Sequence, residues 1–211
     1  MIYVGDPSEW IDLIDTLVPD ILELLIDSWG RMPPPTLDAH EDSISESLCR
    51  RLQKNPKRDD LPFQIRTQIV ELDPGAGADQ GRMDIVFLLL VPRENVYFCL
   101  ECKRLNVMTS GHIRAYSAEY VRFGMQRFVK GQYSPSVRQG AMLAYVLDGD
   151  VVRAIQNVAT VIQVNQVALG MTAPGSLSAS TVRPADARVK ETRHVRIGAA
   201  NPFHLHHVFV S

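Results

Sequence analysis

Three charged side chains, Asp84, Glu101 and Lys103, lie in two largely apolar segments of the chain. The segments, residues 82–91 and 96–103, are rich in β-branched and aromatic residues and are separated by a short turn, which predicts an antiparallel hairpin. Side chains two apart on a strand share a face, so Glu101 and Lys103 lie together. Three charges would therefore meet at the open end of an apolar hairpin.

The register of this hairpin decides which residues meet. If the turn centres near residues 92 and 93, facing residues have numbers that sum to about 185. Asp84 then lies opposite Glu101 or Cys102. Burying such a set of charges without a ligand would be expensive.

A divalent metal ion would rationalise the set. Asp84 and Glu101 offer carboxylate oxygens suited to Mg²⁺ or Mn²⁺, and the backbone carbonyl of Cys102 could add a third ligand. Lys103 could orient or help to deprotonate the attacking water, or stabilise charge on a phosphate. These are the parts that phosphodiester hydrolysis requires. An alternative remains open, in which Asp84 and Lys103 form a plain cross-strand ion pair and Glu101 is solvated.

The motifs around these residues are similar to those of a known nuclease superfamily. They read Gly81-Arg82-Met83-Asp84-Ile85 and Leu100-Glu101-Cys102-Lys103-Arg104-Leu105. This pattern resembles the PD-(D/E)xK superfamily, although Met83 stands where the name-giving motif has proline. The resemblance covers roughly residues 38–147 and implies an α/β restriction-endonuclease-like core, in which helices flank a central mixed β-sheet. It also implies Mg²⁺-dependent cleavage of DNA, with Mn²⁺ as an alternative metal.

The resemblance implies a further acidic residue on the helix before the sheet, and Glu41 and Glu46 are the candidates. The apolar stripe of this helix passes through Ile44, Leu48 and Leu52. At 100° per residue Glu41 lies on the stripe and Glu46 on the far side, so Glu41 is the preferred catalytic and metal-binding candidate. With equal weight, Glu41 could instead complete a capping box with Asp38 as the N-cap.

The helix after the hairpin, predicted over residues 116–129, is where related nucleases place residues that face the metal or the phosphate. The resemblance nominates Gln126 as a catalytic candidate, with Tyr120 as another match. The predicted nucleic-acid contacts are Arg82, Arg122, Arg127, Lys130 and Tyr133. The alternative is that the aromatic residues belong to the core and the charges form a solvated face.

The rest of the chain supplies the elements that must hold this site. Hydrophobic periodicity predicts helices at residues 8–29, 39–54, 116–129 and 151–164, and strands at residues 63–72, 82–91, 96–103, 141–147, 189–197 and 203–210. Residues 106–114 and 169–187 are predicted to be loops, the second one flexible. This mixed order is typical of a single α/β domain. It divides into an N-terminal helical extension (1–35), a catalytic core (38–147), and a C-terminal helix, loop and closing strands (148–211).

Composition limits the function classes. The chain has 211 residues, a formal net charge of −2 and three cysteines. The odd cysteine count and the burial expected for Cys99 and Cys102 favour reduced thiols in a cytoplasmic protein. Their C-x-x-C spacing falls within a strand, which disfavours a redox motif. No apolar run approaches the ~20 residues of a membrane span, and the acidic N-terminus is unlike a signal peptide.

The C-terminal histidines suggest a second metal site. In a strand His204 and His206 share a face, whereas His207 points to the opposite one. No nearby cysteine completes a zinc set, so exposed strand histidines are the preferred interpretation.

Two other functions stay open beside the nuclease. One is a degenerate nuclease fold that binds nucleic acid or protein, and the other is a nuclease effector subunit that requires a partner. The long apolar N-terminal segment could serve a homodimer or such a protein partner. The expected substrate is DNA, and RNA is not excluded.

Overall fold

A computed structural model of the chain describes residues 7–75, 77–90, 95–196 and 201–211. The helices are α1 (Pro7–Gly30), α2 (Glu41–Lys54), α3 (Ser117–Tyr120), α4 (Gln126–Val129) and α5 (Val151–Val164), with a 3₁₀ turn at Pro56–Asp60 and a π-helical segment at Val121–Met125. The strands are β1 (Phe63–Val70), β2 (Arg82–Leu89), β3 (Tyr97–Leu105), β4 (Val107–Thr109), β5 (His112–Arg114), β6 (Gln139–Val146), β7 (Ser178–Ala179), β8 (Val189–His194) and β9 (Phe203–Val210).

A seven-stranded mixed sheet forms the middle layer, with the strand order β1-β2-β3-β6-β9-β8-β7. The strands β3, β6 and β9 run parallel, and each outer pairing is antiparallel. Because β9 lies between β6 and β8, the last segment of the chain completes the centre of the sheet. The predicted α/β class is therefore correct, and the C-terminal strands belong to the core of the sheet.

Two hydrophobic clusters cover the two faces of the sheet. The helices α1 and α2 pack on one face, and α3, the π-helical segment, α4 and α5 pack on the other. The central strands β3, β6 and β9 are almost wholly buried. This explains why these strands are rich in apolar residues and why a charged residue in the middle of β3 is conspicuous.

The hairpin register that brings the charges together is confirmed. Ile85 pairs with Leu100, and Val86 pairs with Cys99. The facing numbers sum to 185 in the described part of the ladder. The predicted turn at Pro92–Asn95 lies largely outside the described residues.

Two segments that were predicted to be loops contain strands. Within residues 106–114, β4 and β5 form a small separate hairpin. The segment 169–187 includes β7, which pairs with β8, and Met171 forms a bridge with His194. These strands contain polar side chains, so a search for alternating hydrophobicity misses them. They are defined by their backbone pairing in the tertiary structure.

The cysteines are buried as expected. Cys99 and Cys102 belong to the hydrophobic clusters on opposite faces of β3. Side chains on opposite faces cannot form a disulfide with each other. The C-x-x-C spacing therefore carries no redox chemistry.

The helix of the N-terminal extension packs into the core of the domain. It continues through Pro19, and its apolar side chains join the cluster beneath the sheet. Trp29 stacks on Tyr145 of β6 with ring centroids 5.3 Å apart, and its indole N–H donates to the Ser211 carbonyl over 3.0 Å. The apolar face that suggested a protein partner is therefore buried against this chain's own sheet. Among the described residues, no helix is both long and apolar enough to cross a membrane.

We expect the substitution Trp29→Ala to lower the free energy of unfolding by about 3–5 kcal/mol, because it removes a large stacked side chain from the core. Urea unfolding would measure this, with Asp20→Ala as a control at an exposed position of the same helix. A detachable helical extension would instead leave the unfolding of the sheet unchanged.

Candidate active site

Four of the five predicted catalytic residues, Asp84, Glu101, Lys103 and Glu41, meet in a polar cavity of about 250 Å³ at the end of the β2–β3 hairpin. The residues that line it are Glu41, Gln68, Gln80, Gly81, Arg82, Asp84, Glu101, Lys103, Arg127 and Gln132. Apart from Gly81, every residue in this set has a polar or charged side chain. The cavity is therefore suited to a charged ligand rather than to an apolar one.

The Lys103 ammonium group is the centre of this arrangement. Its Nζ lies 2.7 Å from Glu101 Oε1, 2.9 Å from Glu41 Oε1 and 2.7 Å from the Cys102 carbonyl oxygen. Three oxygen groups thus converge on one cation. They are the same groups, apart from Asp84, that the sequence analysis assigned to a metal ion.

Asp84 is held by the backbone of the neighbouring strand. Its Oδ2 accepts a 2.7 Å hydrogen bond from the Cys102 amide, and its Oδ1 accepts a 3.4 Å bond from Gln68 Nε2. The aspartate and Lys103 therefore do not form the simple cross-strand pair that was the alternative. The hydrogen bond from the Cys102 amide holds the Asp84 carboxylate at the mouth of the cavity.

Gln68 is a cavity residue that the sequence analysis missed. It lies within β1 at the point where the pairing with β2 skips a residue, and its φ is 57°. A non-glycine residue in this left-handed region is strained and is held there by its surroundings. The irregularity turns the amide toward Asp84. Periodicity alone gives no sign of it, because the strand pattern continues through the position.

The predicted phase of α2 is confirmed. Glu41 faces the cavity, where its Oε2 also accepts a 3.0 Å bond from the Arg104 amide. Glu46 is exposed and pairs with Arg50. The capping interpretation is wrong, because the N-cap is His40 and its side chain makes no capping bond. The Glu41 side chain instead accepts hydrogen bonds from Lys103 and the Arg104 amide, both on β3.

Arg127 enters the cavity from the opposite face of the sheet. Its Nη1 lies 3.1 Å from Glu101 Oε1 and also donates to the Tyr133 hydroxyl. The predicted helix at 116–129 is interrupted by the π-helical segment, which widens one turn next to the cavity. Such segments are common at functional sites. Here the wider turn changes which side chain reaches Glu101.

This irregularity corrects the prediction for Gln126. Arg127 lines the cavity and Gln126 does not. A regular 3.6-residue period cannot predict that shift in phase. Arg122 and Lys130 are exposed and lie outside the cavity lining, whereas Arg82 lines it.

Tyr133 packs beneath the cavity residues and does not lie on the protein surface. It is fully buried, and its hydroxyl donates a 2.6 Å bond to the Arg82 carbonyl while it accepts one from Arg127. Its loop is held by Arg196, which donates to the Ser134 carbonyl over 2.8 Å. The predicted direct contact of Tyr133 with nucleic acid is therefore wrong.

Two glycines allow this close packing. A Cβ at Gly124 would lie 2.2 Å from Met142 Cε and 3.6 Å from Glu101 Cγ. A Cβ at Gly81 would lie 2.3 Å from a ring carbon of Tyr133. A side chain at Gly124 would displace the flexible end of Met142, whereas a side chain at Gly81 would displace the buried ring of Tyr133.

Burial dominates the electrostatics of the site. The pKa of Glu101, which is fully buried, is raised to about 7 by desolvation, although Lys103 and Arg127 favour the charged form. Burial also raises the pKa of Asp84. Burial alone would lower the pKa of Lys103, but the charges of Glu101, Glu41 and Asp84 raise it. The lysine therefore stays protonated, while Glu101 is the acid that titrates near neutral pH.

The C-terminal histidines lie in a different part of the sheet. His204 and His206 share the face of Phe98, whereas His207 bonds to Tyr120 on the other face, as alternation predicts. The expected exposure is wrong, because His206 and His207 are fully buried in the central strand β9.

Comparisons of the chain with protein-family models, with curated proteins and with solved structures found no match. The interpretation of the site therefore depends on its own geometry and chemistry.

We expect Glu101→Gln to stabilise the metal-free protein above about pH 7. A raised pKa means that the folded chain keeps a proton that the unfolded chain releases as the pH rises from 4.5 to about 7. The glutamate therefore destabilises the fold increasingly across this interval, and the loss is complete above it. The amide should recover up to about 3 kcal/mol.

Urea unfolding in a chelator, at about pH 5 and about pH 8, would test this expectation. Glu46→Gln is the matched control, since Glu46 is exposed on α2. A Glu101→Gln protein that is less stable than the native chain at the higher pH would contradict it.

Proposed function

We propose that this protein is a metal-dependent nuclease that hydrolyses DNA phosphodiester bonds, built on a restriction-endonuclease-like core. One observation carries the proposal: three carboxylates and a protonated lysine converge in a polar cavity at the divergent end of a hairpin. The site combines acids from the helix α2 and from both hairpin strands. This agrees with the PD-(D/E)xK pattern of the sequence.

The oxygen atoms of the site fit a hard divalent cation. The Lys103 ammonium group is already surrounded at 2.7–2.9 Å by oxygen atoms of Glu41, Glu101 and the Cys102 carbonyl. Asp84 accepts a hydrogen bond from the Cys102 amide beside them. The Lys103 ammonium group stands in for the cation in this arrangement. An all-oxygen set of this kind is the chemistry that Mg²⁺ or Mn²⁺ prefers. Glu41, Asp84, Glu101 and the Cys102 carbonyl would hold the ion.

A bound Mg²⁺ would lower the pKa of a coordinated water and offset negative charge on the scissile phosphate. The protein would do the rest by positioning. Lys103 would orient the attacking water or stabilise the phosphate, because it lines the cavity beside the two glutamates that would hold the ion. The Arg127 guanidinium group, on the opposite side of the cavity, would bind a phosphate oxygen. Its hydrogen bond to the Tyr133 hydroxyl holds the guanidinium group in place.

The basic residues around the cavity support a nucleic-acid substrate. Arg82 and Arg127 line the opening, and the exposed Arg122 and Lys130 extend from the same helical region. Contacts of this kind bind phosphates without reading sequence. A local group of basic residues can attract phosphates although the whole chain has a net charge of −2.

A binding module without catalysis is the second candidate. The observation that favours it is that Lys103 neutralises the acids without any metal ion. In that case the ion pairs of Lys103 would only compensate the buried acids, and the basic residues around the cavity would bind DNA.

We expect the purified protein to cleave DNA with Mg²⁺ or Mn²⁺ and to be inactive in EDTA, because the carboxylates need a divalent ion to act on phosphate. Linear, circular and single-stranded DNA and RNA should be compared. Glu101→Gln and Lys103→Ala should each lower the cleavage rate by roughly 100-fold or more.

The pair Glu41→Gln and Glu46→Gln provides the control within one helix. Both remove one carboxylate from α2, but only Glu41 reaches the cavity. The first should slow cleavage and the second should not. Cleavage that survives EDTA or the loss of Glu101 would refute the mechanism, and metal-independent binding without cleavage would favour the binding module.

A further inference from the structure

A second group of metal-ligand side chains lies away from the cavity, on β8 and β9. Glu191 on β8 is the register partner of His206 on β9, and His204 is two residues before His206 on the same face. One ligand atom from each of the three side chains lies within 4.8 Å of the others. Glu191 Oε2 and His204 Nε2 are 3.2 Å apart.

The group is built into the protein interior. His206 is 0% exposed and Glu191 is 3% exposed, while the His204 side chain is 20% exposed. His206 Nε2–H donates a 2.8 Å bond to Gln139 Oε1, which leaves the lone pair on Nδ1. That Nδ1 atom is buried and has no hydrogen-bond partner. A buried acceptor without a partner is costly unless something binds it.

The surrounding residues orient the ligands. Glu191 Oε2 accepts bonds from the Thr181 amide and hydroxyl at 2.6 and 2.8 Å, so the carboxylate has little rotational freedom. The Gln139 amide fixes the tautomer and the plane of the His206 ring. Hydrogen bonds of this type, from outer residues to metal-binding groups, are typical of metal sites in proteins. Asp15 on α1 adds negative charge close to His204.

We propose that Glu191, His204 and His206 supply three of the four ligands of a buried zinc site, in which a water molecule completes the tetrahedron. Two imidazole nitrogens and one carboxylate oxygen are a donor set that zinc prefers and that magnesium does not. Bonds of about 2.0–2.1 Å in a tetrahedron place ligand atoms about 3.3 Å apart, which is close to the present spacing of Glu191 and His204. The zinc ion would draw His206 into the same spacing.

Burial makes the role of the ion structural rather than catalytic. The site joins the central strand β9 to β8, and through Thr181 it also ties down the segment that follows β7. Arg193 Nη2 lies 3.4 Å from Glu191 Oε1, and a cation on the Oε2 side would offset the remaining charge of this buried carboxylate. The cation would also stabilise the strands that complete the sheet, independently of the nuclease cavity.

Zinc binding can be measured on the full chain carrying Glu101→Gln, so that the cavity on β3 contributes less. We expect one zinc ion per chain by calorimetry after treatment with a chelator, and a higher melting temperature when zinc is restored. Cobalt in place of zinc should give the visible absorption of a tetrahedral site.

Glu191→Gln and His206→Gln should each weaken zinc binding by at least ~10–100-fold. The matched control is His112→Gln, which removes an exposed histidine from β5. Equal losses in all three variants, or no binding by the parent chain, would overturn the proposal. If the first two variants fail to fold, the cobalt spectrum of the parent chain decides, since absence of the tetrahedral band would also overturn it.

Discussion

The burial of Glu101 is the constraint on which the candidate active site depends. A carboxylate in the middle of an apolar strand must be neutralised, protonated or bound to a cation. Lys103 and Arg127 approach it from two directions, and desolvation still raises its pKa to about 7. The charge is thus only partly compensated. Sites of this kind sacrifice stability for a reactive arrangement.

The neighbouring elements are shaped around this charge. The helix α2 begins at Glu41, so that its first side chain can reach Lys103 and the Arg104 amide. The helix that follows the hairpin contains a π-helical segment, and Gly124 in that segment lies close to the stem of Glu101. Strain at Gln68 turns a further polar group to the same place. The start of one helix and local irregularities in two other elements therefore contribute to one cavity.

The central strand β9 shows the same principle at a second position. His206 is wholly buried because β9 lies in the middle of the sheet, and its partner on β8 is an acid. Neither residue is close to the other in a local sequence pattern. Only the pairing of the two strands reveals that they form a potential metal site.

The sequence by itself determined the apolar strands, the hairpin register and the phase of α2, because each follows from a short-range period or a short connection. These features placed Asp84, Glu101, Lys103 and Glu41 together. The tertiary structure decided the rest: Arg127 rather than Gln126 at the cavity, Gln68 beside Asp84, Tyr133 buried beneath Arg127, and Glu191 opposite His206. Backbone irregularities and long-range strand pairing decide these positions, and neither leaves a periodic trace in the sequence.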